Sequence, residues 1–468
     1  LNPNFSLMTR MTNDAQNGIA ASARRIGGVA VLAVRAALRT RTVGALLALL
    51  AVCVLVLPGA VKGDGTPEGE LHILLTYTLG FAFGILCLAT LWAACALFAA
   101  EIDSARMQLS AVKPVRAAEF WAGKWLALLA LNAAALLAVY TGVYAQVRWR
   151  MHRDGWETVE QPVSRYVAHP LLPSPREEAR ETLDELRARN ELPKGYSERT
   201  ILRALEEKAP EKYTEIPPGR QQAWRFRLSR PLRAGEAVTV RLRFETEYNT
   251  RAQVTGICRL GCVETARAVE VPLDDFTLKE IEFAVDARAF GQAPDAGLRT
   301  FELSFEHTGD AKHAPGLLLR FRKDVALLTP GGSFWMNLLR AAAVHGSVLA
   351  LLAAFGLTLS ICFSLPVAAF VATVLLVLTM VGNSVVQVVS EEDAKKWSNR
   401  AGMLVSRTVH GATRHALKAE PLAALTNGER LEADMLRASL VWNALLLPLL
   451  LAAAGCAVLR RRELADAE

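Results

Sequence analysis

Apolar residues fall along this chain in long blocks. The stretches 43–61, 72–100, 125–145, 366–386 and 438–458 contain no Asp, Glu, Lys or Arg, and 335–360 contains a single charge, Arg340. A helix crosses the hydrocarbon core of a bilayer with about 20 such residues. The pattern therefore predicts six spans, the third at about 122–145. At ~1.5 Å per residue the second is about 43 Å long, so it has to tilt, kink or protrude. Its Gly80-Phe-Ala-Phe-Gly84 is a small-xxx-small pattern that admits a close neighbour, from within the chain or from a second copy. Spans four and five form a hairpin over 334–386, turning at Ser364-Leu365-Pro366.

Between spans three and four, over 146–333, the periodicity changes. Ser174-Pro175-Arg176-Glu177 reads as a capping box with Pro at the first helical position, opening a helix to about Asn190. Ser197 caps a second helix that ends before Pro210. Beyond Pro217-Pro218-Gly219 the period becomes two. Trp224, Phe226 and Leu228 alternate with Arg225, Arg227 and Ser229; Val238, Val240, Leu242 and Phe244 alternate with Thr239, Arg241, Arg243 and Glu245. Further strands are expected at 263–271, 276–285, 298–307 and 316–323. The expected fold is a polytopic α-helical membrane protein of six spans. It carries an extracytoplasmic α+β domain with a helical part at 174–210 and an antiparallel β-sandwich at 220–325.

Charge sets the orientation, because short loops rich in Lys and Arg stay on the cytoplasmic side. The loop 101–124 carries Arg106, Lys113, Arg116 and Lys124, and the tail carries Arg460, Arg461 and Arg462. The stretch Ile19–Arg41 reads as a helix with basic residues at both ends of an apolar core, 26–34, too short to span. It fits an interfacial helix on the cytoplasmic leaflet. Residues 1–42 and the end of 438–468 then lie in the cytoplasm, and 146–333 and 387–437 lie outside a cytoplasmic (inner) membrane. The loop after span one sets Lys62 against Asp64, Glu68 and Glu70, as suits the outer face. No small-residue cleavage site follows span one, which argues against a signal peptide. The chain opens on Leu1, as an alternative start codon or trimming would leave it. The basic flanks account for much of the net charge of +7 and the pI near 9.1, so the charge points to membrane topology and not to nucleic acid.

Chemical motifs are sparse. The sequence has no G-x-x-x-x-G-K-[ST] phosphate loop and no G-x-S-x-G elbow, and neither His410/His415 nor His307/His313 has H-E-x-x-H spacing. No catalysis, cofactor or metal is expected of this chain. Five of the seven cysteines fall in or at the ends of spans. Cys258 and Cys262, in the hydrophilic region, are a candidate small-loop disulfide, the alternative being two free thiols.

The most distinctive segment is Glu101-Ile-Asp-Ser-Ala-Arg-Met-Gln-Leu-Ser-Ala-Val-Lys-Pro-Val-Arg-Ala-Ala-Glu-Phe-Trp-Ala-Gly-Lys-Trp-Leu. It resembles the first cytoplasmic loop of type-2 (export-type) ABC transporter permeases. In that family an acidic helix end, a short helix, a Lys-Pro-x-x-Arg motif, an acidic residue with an aromatic, and a Gly-Lys pair open the third span. The matching positions are Glu101, Asp103, Lys113, Pro114, Arg116, Glu119, Phe120, Gly123 and Lys124. The tail Leu459-Arg460-Arg461-Arg462-Glu463-Leu464 is similar to the ending of such permeases. The loop departs from the family at Ser104-Ala105 and in the Pro114–Arg116 spacing, and the 146–333 insertion exceeds the family's minimal loop.

The resemblance implies a coupling helix in this loop, with Glu101, Asp103, Arg106, Lys113, Pro114, Arg116, Glu119 and Lys124 serving the contact with a separate ABC ATPase subunit that binds ATP and Mg²⁺. It implies a dimer with a second permease chain, identical or not. The plainer account of the same charges is solvation at a cytoplasmic face. The outer domain would hold cargo, an envelope protein or the sister chain. The expected function is that of a non-enzymatic permease subunit. The alternatives are a membrane scaffold or sensor that binds an envelope partner, and an envelope enzyme around Asp274, Asp275, Glu280 and Glu282.

Overall fold

The computed structural model describes residues 3–60, 67–103, 116–153, 164–189, 192, 198–209, 213–233, 235–291, 297–310, 314–388 and 421–465. The chain divides into two compact units, Leu1–Pro162 with Ser333–Glu468, and Val163–Gly332.

The first unit is helical. Its main helices are α1 (Pro3–Leu38), α2 (Arg41–Leu55), α3 (Gly80–Asp103), α4 (Ala117–Arg153), α5 (Phe334–Cys362), α6 (Leu365–Val388) and α7 (Leu447–Ala465). Five helical stretches are long and apolar enough to cross a membrane: Arg41–Gly59, Gly69–Phe98, Ala117–Arg153, Phe334–Cys362 and Ala433–Leu459. They coincide with spans one to four and six of the sequence pattern. The fifth expected span falls on α6, where Leu365–Val377 is a shorter apolar helix. The helix of span three continues through Arg153, past the apolar run, and α1 is longer than its basic core required.

Two of these stretches are not uniform α-helix. Leu74–Leu79 leads into α3 as a π-helix, and Leu440–Leu446 leads into α7 as another. The first interrupts the span whose length demanded an adjustment.

The most buried of the five stretches is α5, which packs against α3, α4, α6 and α7. Gly356 marks its closest approach to α3, where an added Cβ would lie 2.7 Å from Ala94 Cβ and 3.0 Å from the Leu91 carbonyl oxygen. The pattern glycines are not the crossing point. A Cβ on Gly80 would sit 3.5 Å from Leu422, and one on Gly84 would meet nothing within 4 Å.

The second unit is built on antiparallel strands: β1 (Arg165–Ala168), β2 (Thr214–Ile216), β3 (Gln221–Leu232), β4 (Ala237–Arg243), β5 (Gln253–Cys262), β6 (Arg267–Phe276), β7 (Glu280–Asp286), β8 (Leu298–His307), β9 (Leu317–Leu319) and β10 (Val325–Pro330). One four-stranded sheet has the order β3-β8-β5-β6, another β1-β10-β4-β7, and β2 pairs with β9. The predicted alternation in β3 is present: Trp224, Phe226 and Leu228 are buried while Arg225 and Arg227 are exposed. One apolar core draws on both sheets, with Phe226, Leu260, Phe301 and Phe305 from the first and Val240, Leu242, Val285 and Leu327 from the second. The Ser174 capping box is formed in full and the helix runs Pro175–Ala188; the second helix runs Glu198–Lys208, while Ser197 lies outside the described residues.

The disulfide expectation is corrected here. Cys258 and Cys262 are free and lie on one face of the continuous strand β5, both buried. Four residues of extended chain separate their Cα atoms by roughly 13 Å, about twice the reach of a disulfide. Burial pushes the Cys258 thiol up to about 12 and raises that of Cys262, to which Glu264 also contributes as a hydrogen-bond acceptor. The native protein should therefore migrate identically with and without reductant on a denaturing gel. At pH 8 a maleimide should leave Cys258 unlabelled until denaturant is added, as mass spectrometry of the labelled peptides would show.

His307 supplies a pH dependence. It is fully buried at the end of β8, with Nδ1 3.3 Å from the Ile216 carbonyl oxygen, and burial lowers its pKa. Burial disfavours the charged imidazole in the folded chain, whereas the unfolded chain titrates it near ~6.5. Its contribution to stability is complete above that value and declines as pH falls below it. Melting of the full chain at pH 7.5 and pH 5.5 should show a lower Tm at pH 5.5, with a smaller drop in His307→Gln.

Candidate functional site

The expected coupling loop is rooted in the last turn of α3 and the first turn of α4. Glu101 and Asp103 belong to α3, while Arg106, Lys113 and Pro114 lie outside the described residues. Arg116 is exposed at the position before α4, and its backbone N–H donates to Glu119 Oε2 at 3.1 Å. A carboxylate in a first helical turn satisfies an orphan donor and faces the positive end of the helix.

Glu119 is only 5% exposed, because α1 covers it. Its Oε1 accepts the Ser22 hydroxyl, and Arg25 Nη1 donates to Oε2 at 3.2 Å and to Oε1 at 3.4 Å. One turn further along α4, a Cβ on Gly123 would lie 2.6 Å from Val29 Cβ and 3.0 Å from the Ile26 carbonyl oxygen. Ser22, Arg25, Ile26 and Val29 form one face of α1, and Glu119 and Gly123 one face of α4. The missing side chain at Gly123 brings the helices close enough for the charged contact.

Lys124 ties the same turn to α3. It is 2% exposed, donates to the Leu97 carbonyl oxygen at 2.6 Å, and lies 4.1 Å from the Phe98 ring centroid and 4.5 Å from that of Phe120. Those rings meet edge to face at 5.6 Å. A buried ammonium needs such partners. Glu119 and Lys124 thus work inside the chain, gripping both roots of the loop, and Arg116 is exposed beside them.

Polar residues also occur deep among the spans. Thr90 donates to Asn132 Oδ1 at 2.9 Å; Asn337 donates to the Glu429 carbonyl oxygen at 2.7 Å and accepts from the Leu431 N–H at 2.9 Å. Ser347 and Ser439 share a 2.6 Å bond, and Asn443 donates to Ser439 at 3.3 Å. Tyr140 and His345 Nδ1 are 2.7 Å apart, and the His345 ring stacks on Phe83 at 3.8 Å. The Thr90–Asn132, Ser347–Ser439 and Tyr140–His345 contacts join one helix to another, which is how polar groups act as glue in a membrane interior, whereas Asn337 holds the backbone of Glu429 and Leu431, and Asn443 bonds within its own helical stretch. Among the described residues no three His, Cys, Asp or Glu side chains are grouped to hold a metal.

The sequence reading missed Ser22, Arg25 and Phe98 as partners of the elbow, and took Gly123 only as half of the Gly-Lys pair that opens the third span. Arg25 read as a topology signal, and the local cue to the contact was the Ser22/Arg25/Ile26/Val29 spacing. Comparison with protein-family models, with curated proteins and with solved structures finds no match to this chain. What defines the chain is its own architecture: a membrane-embedded helical unit whose charged elbow is held at both ends, and an antiparallel β unit.

Proposed function

We propose that this chain is the permease subunit of a type-2 ATP-binding-cassette exporter. On this reading it has six spans, with α6 as the fifth, and both termini on the cytoplasmic side of the inner membrane. The β unit is an extracytoplasmic sandwich. The chain works with a second permease chain and with separate ATPase subunits that hold ATP and Mg²⁺.

The observation that supports this reading is the double grip on the elbow. Force applied to a loop between α3 and α4 reaches α1 through Glu119 and Gly123, and α3 through Lys124. A loop anchored in this way can bias an equilibrium between inward-open and outward-open states, provided the partner binds one state better. Glu101, Asp103, Arg106, Lys113, Pro114 and Arg116 then form the partner contact, and Glu119 and Lys124 keep it rigid.

The test is purification of the full chain from its native membranes, with mass spectrometry and an ATPase assay. A stoichiometric P-loop ATPase should co-elute, and should be lost when Asp103→Arg, Arg106→Glu and Arg116→Glu are combined. Absence of an ATPase from the complex would overturn the reading.

A membrane scaffold or sensor is the second reading, and one observation favours it. Within the chain, among the described residues, α3 and α6 meet mainly through the apolar Leu91, Cys95, Ala368 and Ala372, with Trp92 Nε1 donating to Thr373 Oγ1 at 3.2 Å as a polar contact beside them. A transporter needs a path between such spans along a dimer interface. Envelope proteins eluting in place of an ATPase would support the scaffold.

A further inference from the structure

The β unit contains a half-covered sheet edge beside a pocket. Strand β3 is the outer strand of its sheet and pairs with β8 in the register Trp224↔Leu303. The His307 N–H donates to the Arg220 carbonyl oxygen at 3.1 Å, so the even-numbered residues of this stretch bond to β8 and the odd-numbered ones direct their backbone groups away. On that outer side the segment after β1 covers part of the edge: Leu171 N–H donates to the Arg225 carbonyl oxygen at 2.7 Å, and Pro170 bridges to Phe226. The cover then departs from β3. Pro173 has no N–H to continue a ladder, and its carbonyl accepts from Arg322, which also pairs with Glu178 at 3.0 Å. The helix that starts at Pro175 is thereby drawn off the edge at Ala223.

A pocket of 280 Å³ opens in the wedge this leaves, lined by Leu171, Leu172, Ala223, Trp224 and Phe321, with the exposed Arg225–Glu302 ion pair at its rim. The Phe321 ring meets Trp224 edge to face at 5.6 Å. Trp224 is 3% exposed, and among the described residues its Nε1 has no hydrogen-bond partner, although a buried indole N–H ordinarily finds one. The Ala223 carbonyl takes a long 3.4 Å contact from the neighbouring Gln222 amide.

We propose that this site binds an extended polypeptide segment of a partner protein. The segment adds as a strand to the open end of β3, in line with residues 169–171. It seats one apolar side chain against Leu171, Leu172 and Phe321. Three features select a polypeptide. Among the described residues, the outward backbone groups at the open end of β3 have no strand partner and recur at strand spacing, which another strand matches. The pocket is smaller than the ~300–1,000 Å³ typical of small-molecule sites and is sized for one or two side chains. The rim charges neutralise each other, so nothing attracts a phosphate or a lipid headgroup. The inference does not depend on the permease reading.

The experiment pans a random dodecapeptide library against the full chain in detergent and measures the enriched peptides on variants. Ala223→Pro removes the outward N–H at an edge position where proline is tolerated, and Ala223→Val keeps it. Enriched peptides should bind wild type and Ala223→Val alike and bind Ala223→Pro at least tenfold more weakly, with the melting curves of both variants unchanged. Panning that enriches no peptide would overturn the proposal, as would peptides that bind Ala223→Pro within twofold of wild type.

Discussion

Replacing Glu119 with Ala should lower the stability of the full chain by about 2 kcal/mol, the scale for losing hydrogen bonds to a charged group. One carboxylate serves the Arg116 N–H, the Ser22 hydroxyl and the Arg25 guanidinium, so its loss takes an acceptor from all three at once. Arg25→Ala should cost less, because that side chain is 39% exposed and its ion pair is partly screened. Glu119→Gln keeps an acceptor and should fall between the two. Thermal melts of the four proteins in one detergent check the order. In a complex with an ATPase, Glu119→Ala should leave the partner bound yet reduce its stimulation by substrate, whereas reversal of the exposed loop charges should release the partner. Equal effects from both kinds of variant would remove the distinction between gripping the loop and presenting it.

Gly356→Leu should prevent the helical unit from assembling, and Gly356→Ala should destabilise it by about 1–3 kcal/mol, the usual range for overpacking. The atoms in the way are Ala94 Cβ and the Leu91 carbonyl oxygen, neither of which can rotate aside. Any side chain therefore moves α5 away from α3, and α5 also carries contacts to α4, α6 and α7. Size-exclusion chromatography should show aggregated Gly356→Leu. Gly84→Ala is the control, since nothing lies within 4 Å of the new methyl. It should leave the monomer unchanged, and a shift in its oligomeric state would mark that face as a contact between chains.

The spans were legible in the sequence because lipid imposes a simple rule on composition, and one of about 20 apolar residues is hard to disguise. The Ser174 capping box was legible because its atoms lie within four residues. β5 was missed because Gly256 and Gly261 interrupt its side-chain pattern. Gly256 is there because a Cβ would lie 2.6 Å from the Glu306 carbonyl oxygen and would strike the Phe305 ring. β10 was missed because five consecutive residues, Val325 to Thr329, are buried, which erases alternation. The grip on the elbow is a long-range event, joining Ser22 and Arg25 to a carboxylate 97 and 94 positions away. The Ser22/Arg25/Ile26/Val29 spacing marks one face of a helix, but no local pattern says which distant residue that face meets.

The two π-helical turns change how the sequence can vary. Side chains advance by about 100° per residue in an α-helix, and a π turn holds an additional residue. Beyond Leu74–Leu79, and again beyond Leu440–Leu446, the face of the span is therefore reset against the face that precedes it. In alignment terms these are splice points. A one-residue deletion there can be absorbed by converting π to α while both flanking faces stay in register. The same deletion beside Gly356 would rotate the close contact away from Ala94, with no turn nearby to take up the difference.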